Sequence, residues 1–133
     1  MNRRGVALIV VLMMAAFIGM SAMLLFSTTN LEVMIAGNNR RINQAKISAT
    51  SGLNHFTALN LDYNTLRGRA GVLQTLQVLP ATQLSDKTHY EVKVHFSPRL
   101  SARQFVVESI GYYTKGGKIL ATHPIKALFE GSE

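Results

Sequence analysis

Twenty-one consecutive residues, Val6 to Phe26, contain no charged side chain and no proline. As an α-helix rising about 1.5 Å per residue they span roughly 31 Å, close to the hydrocarbon thickness of a bilayer. The run is preceded by Arg3-Arg4-Gly5 and followed by the polar Ser27-Thr28-Thr29-Asn30. The chain is thereby restricted to folds that begin with a lipid-compatible helix. Arg3 and Arg4 hold the N-terminus on the cytoplasmic side and send the chain beyond Phe26 across the membrane.

A secretory signal peptide has an apolar core of about 7 to 15 residues and then a small-x-small cleavage site. Here the core is longer and continues through Met23-Leu24-Leu25-Phe26, and Ser21-Ala22-Met23 does not fit such a site. The glycine at the junction of the basic head and the apolar core resembles the class III leader of type IV pilins and type II secretion pseudopilins. That resemblance implies a leader of residues 1–5, cut by a prepilin peptidase between Gly5 and Val6, with N-methylation of the new Val6 terminus. A plain signal anchor with an incidental glycine is the alternative at this point.

The stretch from Leu31 to Ala45, LEVMIAGNNRRINQA, resembles the E-x-x-M-A-G-N-x-R-x-x-x-A segment just past the membrane helix of PilX-type minor pilins. Glu32, Ala36, Gly37, Asn38 and Arg40 occupy corresponding places, Ala45 lies one residue past the last alanine of the pattern, and Ile35 stands where the family has methionine. The implied fold is α+β and type IV pilin-like: a long N-terminal helix, membrane-spanning in its first half, packed on a small sheet of three to four antiparallel strands. Major pilins carry glutamate at the fifth mature position, and this chain has Val10. In the family that carboxylate compensates a neighbouring subunit's buried terminal ammonium, and an unpaired buried charge costs several kcal/mol. Its absence, shared with the GspK-like tip pseudopilins, implies a tip or priming subunit; drift within an insertion-competent segment is the bland alternative.

The roughly 107 residues beyond Phe26 suffice for one modest domain. Cysteine is absent, which excludes disulfides, a thiolate nucleophile and Cys-type zinc sites. The net charge of +7 is spread along the chain apart from Arg40-Arg41 and Arg67-Gly68-Arg69, a diffuse basicity that favours anionic surfaces without specifying one.

Periodicity divides the remainder. Leu31, Ile35, Ile42, Ala45, Ala49, Leu53, Phe56 and Leu59 recur at spacings of three, four or seven, which predicts an amphipathic helix over 27–60, in phase with the apolar run. The expected result is one long helix, with Gly19, Ser27–Asn30 and Gly37 as the points that could allow it to loosen. Residues 61–88 are irregular, broken by Arg67-Gly68-Arg69-Ala70-Gly71 and Leu79-Pro80. There Leu73, Leu76 and Leu79 suggest a short helical turn or two, and the resemblance assigns the region to the variable, exposed part of the domain. Sheet signals occupy 89–133. Tyr90, Val92, Val94 and Phe96 alternate with polar residues, Gln104–Tyr113 is β-branched and aromatic, and Ile119, Ala121, Ile125, Ala127 and Phe129 share one face. Pro124, on the other face, calls for an edge strand. Thr114-Lys115-Gly116-Gly117 predicts a hairpin turn.

No motif reads as catalytic, and no metal or cofactor is expected. Thr114–Lys118 lacks Walker spacing and leads into a strand, and Arg67–Gly71 follows no strand, as a dinucleotide fingerprint requires. His89 and His95 lie roughly 20 Å apart along one strand, too far to share an ion, and His123 reads as a core or interface histidine. The expected role is a structural minor pilin that primes a type IV pilus or sits at its tip. Its implied partners are the prepilin peptidase, other minor pilins and the major pilin through the N-terminal helix, the inner-membrane assembly platform, and the inner membrane itself. Alternatives are a type II secretion minor pseudopilin, a DNA-uptake subunit, or a tip-displayed binding module for adhesion or DNA capture with Arg40, Arg67, Arg69 and Lys115 as contacts. A signal-anchored periplasmic protein unrelated to pili is a further alternative.

Overall fold

A computed structural model describes residues 3–97 and 103–131, with side chains from Val6 onward. Its element order is α1 (Arg3–Ala58), α2 (Tyr63–Ala70), β1 (Thr75–Ser85), β2 (Thr88–His95), β3 (Gln104–Lys115) and β4 (Lys118–Glu130). The chain forms two compact units, Met1–Asn38 and Asn39–Glu133. The first is helical throughout its described part. Gly19, Gly37 and Ser27–Asn30 are all helical, so the one long helix expected from the sequence has no break at these points. One glycine costs only about 1 kcal/mol of helix propensity, and the hydroxyls of Thr28 and Thr29 bond back to the Leu25 carbonyl at 2.9 and 2.8 Å.

The second unit is a four-stranded antiparallel sheet in the order β1-β2-β3-β4 with the last turns of α1 packed on one face. This is the α+β arrangement expected from the resemblance to type IV pilins. Its helix face is built from small residues: Ala45, Ser48 and Ala49 are fully buried. Below Ala49 the packing changes to aromatics. Phe56 meets Phe105 and Phe129 edge-on, with ring centroids 6.4 and 5.5 Å apart. Leu66 and Ala70 of α2 close this end of the core with Phe96, while Val92, Val94 and Val107 form its floor. The predicted apolar stripe on α1 is buried only from Ala45 on. Leu31 and Ile35 are exposed, and Ile42 and Leu59 are about two-fifths exposed, because the sheet offers partners only to the later turns.

Residues 61–88 are more ordered than expected. Asp62 caps α2 by accepting from the Thr65 N–H, and Gly71, at φ 57°, ends it with its N–H on the Arg67 carbonyl. The helical turn expected around Leu73, Leu76 and Leu79 is instead strand β1. Leu76, Leu79 and Thr82 pair with Val94, Val92 and Tyr90, and the register shifts between each pair of steps. Each shift inserts an extra residue, so side chains three apart share a face, and a bulged strand imitates helical spacing. Leu73 is exposed and takes no part.

The remaining strands follow the expected pattern. β2 alternates buried and half-buried residues along its whole length. Gly116 and Gly117, at φ 59° and 76°, make the two-residue turn between β3 and β4, whose type requires positive φ at both positions. β4 is an edge strand, and Pro124 lies on it opposite Ile110.

Candidate functional site

The segment with the clearest chemical character is the first part of α1. Every residue from Val6 to Phe26 is exposed, including Phe17 at 71% and Phe26 at 76%. None of this apolar stretch is buried within the protein. A helix satisfies its own backbone N–H and C=O groups, the requirement for crossing lipid. The polar side chain inside the run is also satisfied, because Ser21 Oγ donates to the Phe17 carbonyl at 2.9 Å. By length and composition this helix can span a bilayer. Val10 is one of the exposed aliphatic side chains of this run. The backbone of Arg3, Arg4 and Gly5 is helical, so the Gly5–Val6 bond lies within α1. Met1 and Asn2 of the expected leader, and the side chains of Arg3 and Arg4, lie outside the described residues.

The four basic residues named from the sequence are all exposed, but they do not form one patch. Contacts run antiparallel along α1 and β3. Ala45 and Ala49 lie over Gly111, Gly52 over Ser109, and Phe56 over Phe105. The β3–β4 turn with Lys115 is therefore at the end of the sheet where α1 enters, the end toward Arg40. Arg67 and Arg69 sit on α2 at the opposite end, where the Arg67 guanidinium lies 5.2 Å from the Phe96 ring centroid.

The outer face of the sheet carries a network of ionisable groups that the sequence did not reveal. His95 Nε2 is 2.8 Å from Glu108 Oε2, Lys126 Nζ is 3.2 Å from Glu108 Oε1, and Thr75 Oγ1 meets His95 Nδ1 at 3.1 Å. Burial pushes the Glu108 carboxyl up, but hydrogen bonds from His95 and Lys126 outweigh it, and its net displacement is downward. Partial burial, reinforced by the Glu91 carboxylate, pushes the Tyr112 phenol up to about 12. These groups join neighbouring strands, β1 to β2, β2 to β3 and β3 to β4, and signal register partners rather than reactivity. His89 stacks on Tyr112 at 4.7 Å and His123 is half-buried opposite Gly111. Among the described residues no three His, Cys, Asp or Glu side chains gather as metal ligands.

On the helix side, sequence reasoning missed three contacts. Ser48 Oγ donates to the His89 carbonyl at 2.8 Å, Ser109 Oγ to the Ala49 carbonyl at 2.7 Å, and the Tyr90 hydroxyl shares a 2.7 Å hydrogen bond with His55 Nδ1. Serine within an apolar helical stripe was the available signal for the first. Compared with the sequence profiles of protein families, with curated proteins and with solved structures, the chain matches none.

Proposed function

We propose that this protein is a minor pilin, a structural subunit that primes assembly of a type IV pilus or sits at its tip after cleavage between Gly5 and Val6. The observation that carries this reading is the coupling of two features in one helix. Its first part is uncharged and exposed at every residue from Val6 to Phe26, and its last turns pack on an antiparallel sheet. Such a helix is usable in lipid before assembly and against other apolar helices afterwards. In this reading Arg3 and Arg4 keep the N-terminus cytoplasmic, the domain from Asn39 onward is periplasmic, and the assembled subunit reaches the cell surface with the filament. Val10 supports a leading rather than a repeating position, since it offers no carboxylate to a neighbour's terminal ammonium.

The test is the intact mass of the protein expressed with and without a prepilin peptidase, alongside Gly5→Ala. The expected outcome is loss of residues 1–5 and gain of one methyl group on Val6, with the variant unprocessed. An uncleaved wild-type chain, or cleavage after Phe26, overturns the reading. Retention of DNA is less well supported than the sequence suggested, because Arg67 and Arg69 lie at the opposite end of the sheet from Lys115. Electrostatic DNA binding by these residues would fall steeply with salt.

A further inference from the structure

Two hairpin ends lie side by side at the end of the sheet where α1 enters. The β1–β2 turn is Asp86-Lys87 and the β3–β4 turn is Gly116-Gly117. Thr114 N–H donates to the Lys87 carbonyl at 2.7 Å, tying one to the other. Lys87, Lys115 and Lys118 are exposed there, and among the described residues none of them is in an ion pair. Asp86 is the one carboxylate in either turn. Beside the lysines are three exposed aliphatic side chains: Leu84 at 48%, Ile119 at 57% and Leu120 at 38%. The pairing of β3 with β4 steps from Tyr113↔Ala121 to Thr114↔Ile119, so Leu120 is an extra residue and both aliphatics escape burial.

We propose that these two hairpin ends dock on the anionic headgroup surface of the bilayer that Val6–Phe26 crosses. The proposal rests on the reading of that segment as a membrane span. Lysines interleaved with aliphatic residues are the chemistry of an interfacial lipid contact, in which the ammonium groups meet anionic headgroups and the apolar groups enter the boundary beneath them. Nucleic acid would use the lysines but leave Leu84, Ile119 and Leu120 in water, with no base-stacking aromatic among the six. Tethering supplies the occupant. Only 18 residues, 27–44, lie between Phe26 and Ala45, the first fully buried residue of α1, so the chain that crosses the bilayer also limits how far the hairpin ends can move from it. Weak contacts then suffice. Docking would hold an unassembled subunit against the membrane and release it as the span leaves the bilayer for the filament.

The absence of cysteine makes single-site labelling direct. The full-length protein is placed in nanodiscs of zwitterionic lipid alone or with one-third anionic lipid, carrying an environment-sensitive fluorophore at Ile119→Cys, Asn64→Cys or Phe17→Cys. The expected result is that the Ile119 position is shielded at least about threefold from an aqueous quencher in anionic discs only, while the Asn64 position on α2 is unchanged. Each lysine contributes about a fivefold factor, so Lys87→Gln, Lys115→Gln and Lys118→Gln together weaken docking about a hundredfold and remove the shielding, as does 0.5 M salt. A Leu84→Cys label checks that the effect does not depend on replacing Ile119. Equal accessibility in the two lipids overturns the proposal. Shielding by duplex DNA added to neutral discs, without shielding by anionic lipid, overturns it in favour of nucleic acid. Loss of lipid contact at the Phe17 position overturns the membrane-span reading itself, an outcome separate from the other two.

Discussion

Gly111 of β3 lies directly beneath Ala45 of α1, and a Cβ on the glycine would overlap the Ala45 carbonyl oxygen and the Ala49 backbone nitrogen. The obstacles are main-chain atoms of a helix, which cannot rotate aside. Helix and sheet therefore approach each other as closely as a hydrogen atom in place of a side chain allows. Gly111→Ala is expected to destabilise the domain by about 3 kcal/mol, the upper end for overpacking. Gly68→Ala, in α2 with open space around it, is expected to be neutral or stabilising by up to about 1 kcal/mol. Thermal unfolding of the full-length chain in detergent, followed by near-ultraviolet circular dichroism, measures both. Equal midpoints for the two variants would contradict the packing described.

Ser48 and Ser109 stitch the same seam in opposite directions, the first from helix to strand and the second from strand to helix. Both are fully buried. Each Ser→Ala change is expected to cost about 1 kcal/mol, the net worth of one hydrogen bond. Their sites are linked through one helical turn, so the double variant should depart from additivity by about 0.5 kcal/mol or more. A double-mutant cycle on chemical denaturation midpoints is the measurement. Strict additivity would mean the two bonds hold independent parts of the seam.

Glu108 gives the sheet a dependence on acid. Its carboxyl is displaced below its ordinary value of 4.5, so the folded state favours the charged form. The associated stability is fully present above about pH 4.5 and is lost as pH falls through the lower, folded-state value. Glu108→Gln is expected to flatten the stability profile on the acid side of pH 4.5 while lowering stability near neutrality. Urea midpoints measured from pH 7 down to pH 3 compare the two proteins. A profile of unchanged slope in the variant would assign the acid sensitivity to other carboxylates.

Tyr112 acts at the other end of the scale. Its phenol is raised from 10 to about 12, so the folded state favours the neutral form. Its contribution is fully present below pH 10 and disappears as pH rises toward 12. Absorbance at the tyrosinate band should show one late-titrating tyrosine, absent in Tyr112→Phe. Glu91→Gln should bring that titration earlier, since the carboxylate is part of its cause, though burial would keep it above 10. No change on removing Glu91 would make burial the whole explanation.

What could be read directly from the residue order is what depends on neighbours along the chain. The uncharged run from Val6 to Phe26 is lipid-compatible whatever else the molecule does, because a helix closes its own hydrogen bonds. Tyr90, Val92, Val94 and Phe96 alternate because a strand turns each successive side chain to the other face. Gly116-Gly117 makes its turn because positive φ is unstrained without a Cβ. Asp62 and Gly71 also bracketed α2 in the sequence, as cap and terminator, but Gly68 and the two arginines between them masked it.

Tertiary structure decided what depends on the element lying opposite. β1 shows leucines three apart, which reads as a helix until its bulges are matched against the two-residue steps of β2. The face of α1 that is buried begins at Ala45 rather than Leu31, because burial needs a sheet to face and spacing alone supplies none. Gly111 looks like one glycine among ten until a helix backbone is laid over it. Arg67 and Lys115 are two cations of one basic chain, yet the antiparallel run of α1 against β3 sends them to opposite ends of the sheet. Local chemistry acts through bonds and nearest neighbours, whereas register, close approach and charge separation exist only once distant segments share a surface.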